Sequence, residues 1–223
     1  MITNNNVKIN HLGIIPDGSR RWAKANNLTY YDAYEHAMKK LQQFIDIGFS
    51  SNIKLISLYG LSKENLGRPK SDLDAVFAAE HLFFSELLPP ICKKWQCKVI
   101  HAGVLEGLPD FFCDSLTNLC ESTSKEETRK LYLLIGYNPL DEIKQAIAKS
   151  KNIDFFEENL WIKEKIDLVI RTAYTSLLSN FAPLQSGYAE LCFIQKLFND
   201  MDENDYKNAL QNYPSAGFTL LGK

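Results

Sequence analysis

The residues Asp17-Gly18-Ser19-Arg20-Arg21 bring a carboxylate, a turn and two guanidinium groups together within five positions. Side chains of this kind grip phosphate. Guanidinium forks match phosphate oxygens in pairs, and a carboxylate at a strand end can hold a hard cation such as Mg²⁺ that bridges phosphates. The surrounding stretch, HLGIIPDGSRRWAK, supplies the backbone for it. Leu12–Ile15 reads as a short buried strand, Pro16-Asp17-Gly18-Ser19 as a turn, and a helix opens near Arg20. A helix N-terminus leaves N–H groups unbonded and favours negative charge. The plainer reading is an Asp N-cap followed by two solvated arginines. Nucleophilic chemistry has less to draw on: Ser62 has no obvious His partner. His11, His36, His81 and His101 read as core or surface residues.

The elements that must position these groups alternate. Strand-like runs fall at Leu12–Ile15, Ile53–Tyr59, Lys98–His101, Leu131–Tyr137, Asp167–Ile170 and Leu191–Ile194. Helical spacing marks Tyr30–Gly48, Asp72–Leu88, Asp110–Cys120, Asp141–Ser150 and Glu203–Tyr213. Pro89-Pro90 is expected to end the second of these. The alternation predicts an α/β fold, a single domain over residues 1–223 with flexible tails at 1–10 and 214–223. Its mostly parallel central sheet of about six strands is covered by helices on both faces.

Ligands of open α/β sheets bind beyond the carboxyl ends of the strands. The first strand leads to Asp17-Gly18-Ser19-Arg20-Arg21. The second leads to Gly60, Ser62, Glu64, Asn65 and Arg68, and the fifth to Arg171-Thr172, Ser179 and Asn180. Four arginines and several small polar groups therefore share one edge, as a phosphate site requires. Phe77, Phe83 and Phe84 lie on the neighbouring helix. They are either plain core or an apolar wall for a greasy diphosphate ester.

With 45% hydrophobic and 23% charged residues and a net charge of -2, the composition is that of an ordinary globular protein and argues against a nucleic-acid partner. Five cysteines without a CxxC pair read as reduced thiols, hence a cytoplasmic chain. No secretory segment opens the sequence, and no apolar run approaches the roughly 20 residues of a transmembrane segment.

Three ordered blocks resemble those of the cis-prenyltransferase family, typified by undecaprenyl diphosphate synthase. HLGIIPDGSRRWAK is similar to a first block ending DGNxRWAK. SLYGLSKENLGRP is similar to LYxFSxENWxRP, and IDLVIRT, LSNF and QSGYAEL resemble the last block. The resemblance implies an allylic isoprenoid diphosphate as substrate, held by Gly18, Arg20, Arg21 and Arg68, with Mg²⁺ on Asp17. It implies a second site for isopentenyl diphosphate at Arg171 and Ser179, with Glu190 as a Mg²⁺ ligand contributed across a homodimer. Asp17, Ser19 and Arg21 fall at its catalytic turn, and Ser62 and Asn65 form a polar relay near the reacting carbon. Trp22, Gly60, Phe77, Phe83 and Phe84 fall where a hydrocarbon pocket is expected.

Departures from the family pattern fall mostly on the second site. Leu177 replaces an arginine that grips isopentenyl diphosphate, Tyr174-Thr175 replaces Gly-Glu, and the terminal SAGFTLLGK has no arginine. Ser19 stands for Asn, Tyr30 for Arg, Tyr34 for His, Leu66 for Trp, and Asn138-Pro139-Leu140 for Gly-Gly-Arg. The resemblance thus implies an atypical enzyme that ionises an allylic diphosphate and then couples irregularly, cyclises or eliminates. Regular short-chain elongation with isopentenyl diphosphate is the alternative, and a non-catalytic diphosphate-binding subunit is a third reading.

Overall fold

Six strands form one sheet in the order β3-β4-β2-β1-β5-β6, in a computed structural model that describes residues 9–213. They are β1 His11–Ile15, β2 Leu55–Ser62, β3 Cys97–Ala102, β4 Arg129–Tyr137, β5 Leu168–Thr172 and β6 Glu190–Ile194. Every neighbouring pair is parallel, so the sheet is wholly rather than mostly parallel. Most of the expected flexible tails, residues 1–8 and 214–223, lie outside the described residues. Ile9 is buried, and the Asn10 N–H donates to Asp167 Oδ2 at 2.8 Å.

The helices are α1 Ser19–Ala25, α2 Tyr30–Ser50, α3 Lys70–Leu82, α4 Leu88–Trp95, α5 Asp110–Ser122, α6 Pro139–Lys149, α7 Pro183–Ser186 and α8 Glu203–Asn212. A capping box between Thr29 and Asp32 starts α2, whose Ala33, Ala37, Leu41, Phe44 and Ile45 form one buried stripe. On that face of the sheet the side chains of Leu12, Ile14, Ile56, Leu58, Leu131 and Leu133 join those of α2, α3 and α5 in the main core. Their alternates, Ile15, Tyr59, Tyr132, Leu134 and Val169, pack on the other face with Ile162 and Phe181. There the buried Glu142 carboxylate of α6 accepts from the Tyr137 hydroxyl at 2.6 Å and the Ile162 N–H at 3.0 Å.

Pro89-Pro90 does not end the helical segment expected at Asp72–Leu88. A π turn at Phe83–Leu87 joins α3 to α4, and the prolines occupy the opening positions of α4. The wider π turn before them, closed by the Leu88 N–H bond to the Phe83 carbonyl, lets the helix continue through the two prolines. The continuous Lys70–Trp95 helix therefore reaches 26 residues with a mean hydropathy of 1.2 over its most apolar window, long and apolar enough by length and composition to cross a bilayer. In this fold Val76, Phe77, Phe84, Leu88 and Cys92 on it are buried against the sheet and its neighbours.

The first residue of β1 makes the fold pH-sensitive. His11 is fully buried, with Nδ1 3.1 Å from the Lys165 carbonyl and Nε2 2.8 Å from Ser57 Oγ. A neutral ring serves both contacts: Nδ1–H donates to the carbonyl and Nε2 accepts from the serine. Burial lowers the imidazole from 6.5 to about 4. The unfolded chain therefore takes up a proton at a higher pH than the folded one does. Stability is present above about pH 6.5 and falls by about 3 kcal/mol as the pH drops to 4. Urea unfolding across that range should show the extra slope in the native protein and lose it in His11→Gln.

Candidate active site

The carboxyl ends of β1, β2 and β5 open onto a pocket of about 540 Å³, a volume suited to a small ligand. Asp17, Gly18, Ser19, Arg20, Arg21, Gly60, Ser62, Asn65, Arg68, Phe83, Phe84, Arg171 and Ser179 all line it. The strand-end argument therefore brings eleven expected residues to one cavity, where Phe83 and Phe84 join them from the helix; Glu64, Thr172 and Asn180, also past strand ends, do not line it.

At its mouth the chain turns from β1 into α1 through Gly18, which has φ +117°. A Cβ there would lie 2.9 Å from Leu197 Cδ2 and 3.2 Å from Ala173 Cβ, so both backbone conformation and space require glycine. Gly18 is the N-cap and no side chain caps α1, which corrects the Asp N-cap alternative. The first-turn N–H groups of α1 are left without an intrahelical acceptor beside the pocket. Asp17 instead reaches sideways. Its Oδ2 accepts from Arg171 Nη2 at 3.0 Å, and its Oδ1 lies 3.5 Å from Arg21 Nη2. The Thr172 hydroxyl and the Asp17 backbone exchange bonds of 2.9 and 2.8 Å, which fixes the turn against β5.

The cations of the pocket are not equally committed. Arg20 is paired with Asp72 at 3.1 Å. Arg171 is almost wholly buried and donates to the Leu177 carbonyl at 2.6 Å, to Ser179 Oγ at 2.8 Å and to Asp17. Arg68 makes no ion pair among the described residues; its Nη1 lies 3.5 Å from the Tyr34 hydroxyl. Burial lowers the Arg68 guanidinium from its ordinary value, with Tyr34 partly opposing. It is a partly desolvated cation with room for an anion. Ser62 caps the short 3₁₀ turn Lys63–Gly67 by accepting from the Asn65 N–H at 3.2 Å, which holds Asn65 and Arg68 at the rim. Two register shifts between β2 and β4, at Tyr59/Leu61 and Leu61/Ser62, re-aim this strand end. β2 consequently runs on to Ser62 instead of stopping near Tyr59.

Three expected residues do not line the pocket. Trp22 points across α1, donating to Asp200 Oδ1 at 2.7 Å and stacking on His36 at 4.9 Å. Phe77 packs on Phe112 at 5.0 Å and is core. Glu190 begins the edge strand β6 level with Leu168, at the amino end of the sheet and away from the pocket. Ser19 lines the rim, but its hydroxyl is spent on the buried Asn199 Oδ1 at 2.9 Å.

Sequence reasoning left out Lys24, Met38, Leu41, Tyr59 and Glu80, and it registered Tyr30 and Tyr34 only as departures from a pattern. The signal for Glu80 was present: Val76, Glu80, Phe83 and Phe84 share one helical stripe. The loop after β5 also gave no sequence warning. Ala173, Tyr174, Ser179, Asn180 and Ala182 all have positive φ. Backbone strain of this kind persists only where surrounding contacts hold it, and the Arg171 bonds to Leu177 and Ser179 are such contacts.

A family model described as "Putative undecaprenyl diphosphate synthase" matches residues 15–217. The chain belongs to the undecaprenyl diphosphate synthase family of cis-prenyltransferases. It is 35% identical to a tritrans,polycis-undecaprenyl-diphosphate synthase (geranylgeranyl-diphosphate specific) of Sulfurisphaera tokodaii, over 91% of this chain and 84% of the relative. It is 31% identical to a chloroplastic nerylneryl diphosphate synthase of Solanum lycopersicum, over 91% of this chain and 68% of the relative. The solved lavandulyl diphosphate synthase of Lavandula x intermedia, in complex with dimethylallyl diphosphate, superposes with a TM-score of 0.85 at 26% identity, covering 92% of this chain and 95% of that one. Relatives in the family are named as isoprenyl and prenyl diphosphate transferases and synthases, and this chain is a prenyltransferase-family enzyme.

Proposed function

We propose that this chain is a Mg²⁺-dependent enzyme that ionises an allylic isoprenoid diphosphate and then couples two allylic units irregularly, or lets the cation cyclise or lose a proton. The carrying observation is the uneven state of the pocket's arginines. Arg68 and the first-turn N–H groups are open to an anion on the first-block side. Arg171 is held by Asp17, Ser179 and the Leu177 carbonyl, and the Leu177 side chain is exposed where the family pattern has an arginine. One diphosphate position is equipped and the other is depleted. The solved relative bound to dimethylallyl diphosphate supports a short allylic substrate.

In this reading Gly18, Arg20, Arg21 and Arg68 hold the diphosphate. Arg68 binds it alike before and during departure, and Arg21 stabilises the further negative charge that grows on it as the carbon–oxygen bond breaks. Ile15, Leu58, Phe83 and Phe84 keep water from the allylic cation. Ser62 and Asn65 form a polar relay near the reacting carbon. Among the described residues no three His, Cys, Asp or Glu side chains gather around a metal position. A lone carboxylate, Asp17, suits Mg²⁺, which takes one or two carboxylates and completes its shell with phosphates and water. Bound there, the ion supplies charge neutralisation to the leaving diphosphate. We further propose a homodimer, in which Glu190 would serve the neighbouring copy, and a cytoplasmic location, supported by five free cysteines.

Regular short-chain elongation with isopentenyl diphosphate is the second reading, supported by the retained Arg171 and Ser179 and by the names of the undecaprenyl and nerylneryl relatives. Leu177→Arg separates the two. An added Arg–phosphate contact is worth about 1.5–3 kcal/mol, so the variant should use isopentenyl diphosphate about tenfold or more better than the native enzyme. No gain, in an enzyme that already elongates well, would favour the second reading.

A further inference from the structure

Glu80 has no place in the diphosphate chemistry, yet it sits in the wall of the same pocket. It is 2% exposed, and its Oε2 has no hydrogen-bond partner among the described residues. Of the nearby cations, Arg20 is held by Asp72 and Arg171 by Asp17, while Arg68, whose charge is felt at Glu80, forms no ion pair with it. Gly60 leaves the space that the carboxyl fills, since a Cβ on Gly60 would lie 2.9 Å from Glu80 Oε1. On α3, Glu80 is two helical turns, roughly 12 Å, beyond Asp72, the partner of the pocket-lining Arg20. Val76 precedes it and Phe83 and Phe84 come after it on the same face. In the allylic diphosphate reading, this apolar stripe is the wall that faces the hydrocarbon of the bound ester.

A buried carboxyl without a partner is destabilising, and a leucine would fill this stripe at lower cost. Burial pushes the Glu80 acid up to about 8, with Arg68 opposing. Near neutral pH it keeps its proton and can both donate and accept a hydrogen bond.

We infer that Glu80 is a recognition group for a hydroxyl carried on the hydrocarbon part of the allylic diphosphate, so that the pocket selects an oxygenated tail over a plain one. The inference rests on the allylic diphosphate reading and names the substrate class within it. A site built to bond a hydroxyl rejects the analogue lacking it, because its own polar group is then left unpaired.

The test compares Mg²⁺-dependent release of inorganic diphosphate from dimethylallyl, geranyl and farnesyl diphosphates with release from the same three esters hydroxylated at the terminal methyl. Native enzyme, Glu80→Leu and Glu80→Gln are assayed side by side, with thermal unfolding as the check on folding. The native enzyme should prefer the hydroxylated member of at least one pair by about tenfold or more in kcat/KM. Glu80→Leu should reverse that preference and melt no lower than the native protein. Glu80→Gln, which still donates and accepts, should keep most of it. If Glu80→Leu does not fold, the native and Gln ratios decide. Plain esters used as well as hydroxylated ones by the native enzyme, or a ratio unmoved in Glu80→Leu, would overturn this inference and leave the allylic reading standing. No release and no binding by calorimetry with any of the six esters would overturn both.

Discussion

Asp17→Ala is expected to lower Mg²⁺-dependent diphosphate release by about 10³-fold or more while the protein stays folded. The carboxylate is the acidic group at the pocket mouth, placed between Arg171 Nη2 at 3.0 Å and Arg21 Nη2 at 3.5 Å. Its removal takes away the proposed Mg²⁺ ligand and at the same time releases Arg171, whose side chain is only 7% exposed. Breaking a buried ion pair is costly. Here the Asp17 side chain is 38% exposed and Arg171 keeps its bonds to the Leu177 carbonyl and Ser179 Oγ, so the loss of stability should be about 1–2 kcal/mol. Asp17→Asn separates the two effects, because an amide oxygen still accepts from Arg171 but ligates Mg²⁺ poorly. It should melt close to the native protein and remain almost as inactive as the alanine variant. Native turnover in either variant, measured by released diphosphate, would refute a metal-assisted departure.

Arg68→Ala is expected to raise KM for the allylic diphosphate about 10- to 100-fold, with a smaller effect on kcat. Arg20 already has a carboxylate in Asp72, so its loss would be cushioned. Arg68 has the Tyr34 hydroxyl at 3.5 Å and no ion pair among the described residues, and burial already disfavours its charge. Such a cation gains more from an incoming phosphate than one that must first give up a partner. Arg68→Lys, which keeps the charge and loses the fork, should recover part of the affinity. An unchanged KM in both variants would move the diphosphate away from this side of the pocket.

Much of this geometry was legible in the chain. Buried parallel strands such as Leu131–Tyr137 read as continuous apolar runs, and the turn residues at Pro16–Ser19 marked where the first one ends. Asp17 and Arg68 lie just past strand ends and Arg171 in the last residues of β5, and these meet because the carboxyl ends of parallel strands share one edge. Misreadings arose where local pattern is blind to a neighbour. Periodicity gave Phe77 and Phe84 one apolar helix, but only packing decides that Phe77 meets Phe112 while Phe84 also faces the pocket. Pro89-Pro90 read as a stop because a π turn leaves no sequence mark that separates it from an ordinary helix end. Glu80 was passed over because a charged residue on a helix is usually solvated. The commitment of Arg171 depends on a carbonyl, a hydroxyl and a carboxylate from separate positions in the chain, which no local pattern encodes.

The most direct measurement is diphosphate release with Mg²⁺ from dimethylallyl, geranyl, farnesyl and geranylgeranyl diphosphates, each with and without isopentenyl diphosphate, with products identified by mass spectrometry. The expected result is release without isopentenyl diphosphate, giving products whose masses correspond to two coupled allylic units or to a cyclised or deprotonated single unit. Release that depends strictly on isopentenyl diphosphate, with products longer by one isoprene unit, would contradict it and make the enzyme a regular chain elongator.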